Sequence, residues 1–344
     1  MAKEAAFLLV SFGGPEGPDD VMPFLRNVTA GRNVPDERLA HVAEHYFAFG
    51  GVSPINAQNR ELLGAIERAF TADGIDLPVY WGNRNWPPLL TDTMQAMADD
   101  GVRSVIAFAT AAYSSYSSCR QYLEDIDKAR VAVGAKAPAV VKIPPYYGHA
   151  GFAAAFIDAT ARALASLPAE TVDDAELVFT AHSIPESMAA ASGPDGHAYQ
   201  DQLTEVAGRV AAGIGRTTWQ LAYQSRSGPP SVPWLGPDIN ECLTTLAKAG
   251  APAVVVVPIG FVSDHMEVVF DLDVEAARTA ADLGLPMARA ATPGMDPHFV
   301  ALICSLVSDF AAGARGEGLA GSWSRALGPS VARLCGERCC RIAS

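Results

Sequence analysis

Short, near-continuous apolar runs spaced by helix-like stretches constrain this chain more than any other feature of its sequence. A strand that faces water on one side alternates apolar and polar residues, whereas a strand covered on both faces by helices does not. Runs of the second kind are Phe7–Ser11, Pro78–Trp81, Ser104–Ala109, Ala139–Ile143, Glu176–Thr180, Trp219–Tyr223 and Ala253–Ile259. Helix-like stretches lie between them: Asp19–Asn27, Gly151–Ser166, Tyr199–Ile214 and, closing the folded part, Asp296–Ala312. The alternation predicts an α/β fold with parallel sheets. The series runs twice along 344 residues, which predicts two doubly wound lobes with a cleft between them. The strand exits Val10–Pro15 and Thr180–Pro185 are loosely alike, small polar residues and then proline, as a repeated unit would be.

Charge excludes one class of partner. Asp and Glu number 38 against 25 Lys and Arg, a net charge of −13, and a nucleic-acid surface needs a concentrated basic face. The apolar runs fall well short of the ~20 residues that span a bilayer. The six-residue apolar run near the N-terminus, after Lys3 and Glu4, is too short for a secretory signal, so a cytoplasmic protein is expected. In a reducing compartment, the thiols Cys119, Cys242, Cys304, Cys335, Cys339 and Cys340 are better placed to hold metal than to pair as disulfides.

Four segments could carry chemistry. Gly13-Gly14-Pro15-Glu16-Gly17-Pro18 lacks the spacing of a dinucleotide or phosphate loop, and its prolines remove backbone donors, so a tight turn and no nucleotide are expected. His182 ends an apolar strand, where α/β sheets bind ligands, although a hydrogen-bonded strand-end histidine fits equally well. In Gly260–Glu267, Asp264 and Glu267 have the spacing of a helix capping box. Glu267, Asp271 and Glu275 recur every four residues, and such a row of like charges calls for either solvent or a cation. Cys335-x3-Cys339-Cys340 follows no zinc spacing. It fits either an incidental group of tail thiols or part of a [2Fe-2S] site completed by one cysteine from the body.

Taken in order, Leu8–Pro15, Phe49–Asn56, Phe179–Pro185, Tyr223–Pro229 with Pro233-Trp234-Leu235, and Pro258–Glu267 resemble the ferrochelatases, which insert ferrous iron into a porphyrin. The resemblance runs from about residue 5 to 312, and the pairing of His-Ser-Ile-Pro with Gly-Phe-Val-x-Asp-His-x-Glu is its most specific part. It implies a chelatase-like fold of two Rossmann-like lobes around a central porphyrin cleft. The implied partition is an N-terminal lobe over 1–113 completed by helix 295–313, a C-terminal lobe over 114–294 carrying the His/Glu site, and a cysteine-containing tail over 314–344. By matching position, His182 and Glu267 would bind Fe²⁺ and catalyse its insertion, with Asp271 and Glu275 continuing an acidic row that handles metal or protons. Phe12, His45, Tyr46, Ser53 and Tyr122 would contact the porphyrin.

Among ferrochelatases the chain is most similar to those acting on coproporphyrin III, in the route where iron enters before decarboxylation to protohaem. Alternatives are protoporphyrin IX as substrate, cobalt or nickel insertion into another tetrapyrrole, and a carrier that holds a porphyrin or haem without metallating it. The resemblance also implies a [2Fe-2S] cluster on Cys119, Cys335, Cys339 and Cys340, leaving Cys242 and Cys304 as core thiols. Transient contact with neighbouring haem-pathway enzymes is expected as well. Three departures stand out. Phe12 replaces a tyrosine that can ligate product iron, His45 stands where arginine is common, and Thr29 and Ala30 stand where some relatives carry arginines.

Overall fold

The computed structural model describes residues 4–31, 34–229, 231–313, 339 and 340. They fall into two compact units. The first takes the described chain up to Thr110, then Tyr122–Ile143 and Ser263–Met266; the second takes Ala111–Gln121, Pro144–Val262 and the described residues from Glu267 onward.

In the first unit the elements run β1 (Ala5–Ser11), α1 (Pro18–Val28), α2 (Asp36–Phe47), α3 (Ile55–Ala72), β2 (Val79–Asn83), α4 (Leu90–Asp99), β3 (Ser104–Ala109), α5 (Gln121–Val133) and β4 (Ala139–Lys142). The sheet order is β2-β1-β3-β4, with every pairing parallel. Ala6–Val10 in the middle of β1 is fully buried, as its uninterrupted apolar run requires. The edge strand β4 alternates exposed and half-buried residues and carries Lys142, which blunts an otherwise open edge.

The second unit contains α6 (Ala150–Ala165), β5 (Glu176–His182), α7 (Glu186–Ala190), α8 (Ala198–Gly213), β6 (Gln220–Gln224), α9 (Ile239–Lys248) and β7 (Val254–Val257). After these come α10 (Met266–Val268), a π-helical segment (Val269–Ala276), α11 (Ala277–Asp282), β8 (Met287–Arg289) and α12 (Pro297–Gly313). Its sheet order, β6-β5-β7-β8, is again all parallel and repeats the 2-1-3-4 order of the first. All four valines of β7 have no exposed surface. Burying each contributes about 1.5–3 kcal/mol, and their β-branched side chains suit a strand covered on both faces.

Each predicted strand is present within a few residues of its expected place. The compact units divide the chain differently from the expected partition: Tyr122–Ile143, with α5 and β4, falls to the first unit, and α12, packed along α6, falls to the second. Helices α2–α5 and α9 had not been marked from the sequence, and neither had β8, which at three half-buried residues is too short to show a pattern. The capping box expected at Asp264 and Glu267 is corrected by the start of α10 at Met266, which makes Glu267 the second helical residue. Asp264 instead donates its N–H to Gln58 Oε1 at 2.8 Å. A capping box does form one helix earlier, at Asp238 and Glu241 of α9.

Candidate active site

In a 2-1-3-4 parallel sheet the chain leaves the first strand toward one edge and the third toward the other. This opens a crevice at the carboxyl ends of those two strands, where ligands bind. In the second unit these are β5 and β7. His182 is the last residue of β5, and the segment leaving β7 leads to Glu267. One glycine brings the two exits together. A Cβ on Gly260 would lie 2.6 Å from the Ala181 Cα, so only glycine lets the segment cross the end of β5.

The loop after His182 is held by a motif fifty residues away. Ser183 Oγ donates to the Leu235 carbonyl at 2.7 Å, Leu235 N–H donates to the Ile184 carbonyl at 3.0 Å, and Pro185 bridges Trp234. His-Ser-Ile-Pro and Pro-Trp-Leu are therefore one tertiary piece. Tyr199 of α8 also donates its hydroxyl to the His182 carbonyl at 2.9 Å.

His182 Nδ1 lies 2.5 Å from the Ser183 carbonyl oxygen, which can only accept, so Nδ1 carries the proton. Nε2 is thereby turned toward Glu267 Oε2, 3.5 Å away. In the neutral histidine both of these atoms are acceptors, so the gap suits a shared proton or a cation. Burial disfavours the charged imidazole. The Glu267 carboxylate, the Ser183 carbonyl and Asp271 together outweigh it and hold the His182 pKa above its ordinary value.

The acidic row is real, but its helix is not the α-helix that a spacing of four suggests. Val269–Ala276 is π-helical, and Ala277 N–H reaches back five residues to the Leu272 carbonyl. In this wider helix residues four apart fall nearly in line, and π segments concentrate at functional sites. The buried stripe Val268, Leu272, Ala276 and Ala280, packed into the second unit's core, shows the same spacing. Asp271, next to that stripe, is pushed up to about 7, first by burial and then by repulsion from Glu267 and Glu275; the Ser225 hydroxyl and His182 oppose the rise. Ser225 donates to Asp271 Oδ2 from a left-handed backbone (φ 61°), and Gln224 Nε2 lies 3.5 Å from the same oxygen. Neither residue had been assigned a role, although both sit in the Tyr223–Pro229 motif.

The first unit gathers most of the residues expected to contact a porphyrin. The Phe24 ring lies 6.3 Å from Phe12, 5.9 Å from Tyr46 and 6.1 Å from Trp86. The Arg84 guanidinium lies 5.7 Å from the Phe12 ring centre and 4.6 Å from that of Tyr122, with its Nε 2.6 Å from Asp125 Oδ2. Ser53 is buried against the turn after β1, its N–H donating to the Pro15 carbonyl at 2.9 Å. The His45 ring centre lies 5.6 Å from that of His41. Gly13, at φ 80°, turns the chain there, and a Cβ on it would sit 2.8 Å from that of Asn83. Arg84 and Trp86 were missed because nothing in a single Arg or Trp marks it as part of a ring cluster.

Of the expected cluster cysteines, Cys119, Cys339 and Cys340 are buried, and Cys335 lies outside the described residues. The Cys339 and Cys340 sulfurs are 3.7 Å apart, and Gly193 N–H points at Cys340 Sγ from 3.2 Å. Among the described residues no three His, Cys, Asp or Glu side chains converge on a ready metal site. Cys242 and Cys304 are buried in the core, Cys242 donating to Gln220 Oε1 at 3.1 Å. Among the described residues no helix is long and apolar enough to cross a membrane.

Comparison with known proteins bears on the whole chain. The ferrochelatase family model matches residues 4–310. The chain is 52% identical to the coproporphyrin III ferrochelatase of Streptomyces coelicolor, over 97% of this chain and 92% of that protein. It is 56% identical to the coproporphyrin III ferrochelatase of Frankia alni, over 88% and 79% respectively. It is also 52% identical to the ferrochelatase of Rhodopirellula baltica, over 88% and 85%. Among solved structures, SirB from Bacillus subtilis superposes with a TM-score of 0.56 at 14% identity, over 92% of this chain and 98% of that one, a likeness of fold. With the family match spanning both sheets and the His182–Glu267 site, the chain belongs to the ferrochelatase family.

Proposed function

We propose that the protein inserts Fe²⁺ into coproporphyrin III in haem biosynthesis, giving the iron porphyrin and two protons. The observation that carries this is the facing of His182 Nε2 and Glu267 Oε2 across 3.5 Å at the switch point of the second sheet. Insertion must strip two pyrrole N–H protons while the iron exchanges its ligands for ring nitrogens. An imidazole whose Nδ1 proton is fixed by Ser183 offers Nε2 to a proton or to iron. The row Glu267, Asp271 and Glu275 supplies hard oxygen donors and a path for protons outward. The aromatic group of the first unit, with Phe12, Tyr46 and Tyr122, supplies flat apolar surface for a macrocycle. Relatives at 51–56% identity that carry the coproporphyrin name support that choice of substrate.

The test is an anaerobic absorbance time course with Fe²⁺, run in parallel on coproporphyrin III and protoporphyrin IX. Conversion of coproporphyrin alone is expected. Conversion of protoporphyrin alone would move the substrate, and tight binding without conversion would leave a carrier.

We further propose a [2Fe-2S] cluster on Cys119, Cys335, Cys339 and Cys340. Metal–sulfur bonds of about 2.3 Å in a tetrahedron put two thiolates about 3.8 Å apart, and Cys339 and Cys340 stand at 3.7 Å. Bound there, the cluster would supply a one-electron redox centre, while the Gly193 N–H would donate to the Cys340 thiolate. A cytoplasmic location belongs to the same proposal, since a reducing compartment keeps such thiols available to metal. Transient contact with neighbouring haem-pathway enzymes belongs to it as well.

A further inference from the structure

Gln224 stands beside His182. The two are register partners at the carboxyl ends of β6 and β5. Its side chain is 1% exposed and lies among the charged groups of the site, with Nε2 3.5 Å from both Asp271 Oδ2 and the Glu267 carbonyl oxygen. The other half of the carboxamide is unused: Oε1 is buried and accepts no hydrogen bond. Turning the amide over would set Oε1 against a carboxylate and a carbonyl, two acceptors, so the orientation is dictated by its surroundings.

Buried side-chain acceptors are nearly always satisfied, and one left open costs free energy that an apolar residue of the same length would avoid. The cost is borne two bonds from the Asp271 contact, in a site built to receive substrates. Both Nε2 contacts are long, which leaves the carboxamide room to adjust toward a newcomer.

We propose that Gln224 is a further functional residue of this site. Its Nε2 helps to position the Asp271 carboxylate, and its Oε1 is held open for an O–H or N–H donor that the substrates bring. Two donors have this chemistry, a water on the incoming hydrated ferrous ion and a pyrrole N–H of the free-base porphyrin. Once metal is inserted the pyrrole N–H is gone, and the ion has traded the waters in the ring plane for four ring nitrogens. The acceptor therefore favours the reactants over the product. The proposal rests on the reading of the site as a porphyrin metallation site.

The test compares the parent protein with Gln224→Met, which keeps length and removes both halves of the amide. Three quantities are read: KM for Fe²⁺ with coproporphyrin III, affinity for free-base coproporphyrin III, and affinity for its zinc complex, which has no N–H. Gln224→Met is expected to leave zinc-complex affinity unchanged, to hold or raise the melting temperature as the unsatisfied acceptor goes, and to lose roughly tenfold on one of the others. A rise in KM for Fe²⁺ identifies the iron-bound water; weaker free-base binding identifies the pyrrole N–H. Should Gln224→Met fail to fold, Gln224→Asn, which withdraws the carboxamide by one methylene, is read in the same way. Parent-like values throughout, or equal losses on free base and zinc complex with KM unchanged, would overturn the proposal while leaving iron insertion intact. A parent protein that metallates no porphyrin overturns both.

Discussion

Gly260 donates its N–H to the Thr180 carbonyl at 3.0 Å, tying the segment that leaves β7 to the end of β5 two residues before His182. The bond needs a residue without a side chain, because a Cβ on Gly260 would meet both the Ala181 Cα and its Cβ at 2.6 Å. Gly260→Ala is therefore expected to force the two strand exits apart, costing about 1–3 kcal/mol and most of the turnover. Chemical unfolding and a steady-state assay on the same sample check this; a stable, fully active variant would mean that the close approach is dispensable.

His182→Ala should lower turnover by about 10²–10⁴-fold, the usual range for loss of a positioned acid–base group, while porphyrin binding persists. Absorbance turnover set beside porphyrin fluorescence titration separates the two effects. Unchanged turnover would remove His182 from the mechanism.

Asp271 and His182 both bind protons more tightly in the folded protein than in the unfolded chain. Stability from a group raised in this way is present below its unfolded pKa and is lost as pH rises through the folded value. For Asp271 that window runs from the ordinary carboxyl value of 3.8 to about 7. Asp271→Asn should therefore flatten the decline in stability across this window and leave the variant more stable than the parent at pH 8, by about 2 kcal/mol. The part of the decline due to His182, above pH 6.5, should shrink, because Asp271 is one of the groups that raise it, and what remains is due to Glu267 and Ser183. Urea unfolding at pH 5, 6.5 and 8 reads both.

Ser225 can be divided by two substitutions. Ser225→Ala loses the hydroxyl that bonds Asp271 and keeps a side chain on a left-handed backbone; Ser225→Gly loses the same bond and relieves the backbone. The glycine variant should be about 1 kcal/mol more stable than the alanine variant, with turnover reduced equally in both. Unequal turnover would show that backbone geometry, rather than the hydroxyl, serves Asp271.

Cys340→Ser tests the cluster. Anaerobically prepared parent protein should be reddish-brown, with two irons and two acid-labile sulfides per chain, and the variant should lose both. Metal and sulfide analysis decides it, and a colourless, iron-free parent would dispose of the cluster.

Much of this molecule was legible before folding. The apolar runs Phe7–Ser11 and Ala253–Ile259 have no polar alternation, so only strands covered on both faces can bury them. His182 and Glu267 stood out because each follows such a strand. Other parts were invisible for physical reasons. A π-helix is chosen by how Val268, Leu272, Ala276 and Ala280 pack into the second unit's core, and an isolated helix gains nothing from it. Arg84 joins Phe12 and Tyr122 only because β1, β2 and α5 converge, bringing together residues more than a hundred positions apart.

The sequence by itself determined the fold class, the repeated order of strands and helices, and the strand ends that hold the histidine and the glutamate, because burial of apolar runs is a local demand. Tertiary structure alone decided what those ends do together. The facing of His182 and Glu267, the charge on Asp271 and the open acceptor of Gln224 depend on distances of a few ångströms between segments forty to ninety residues apart. Electrostatics at that range answers to geometry and burial, which no pattern along the chain records.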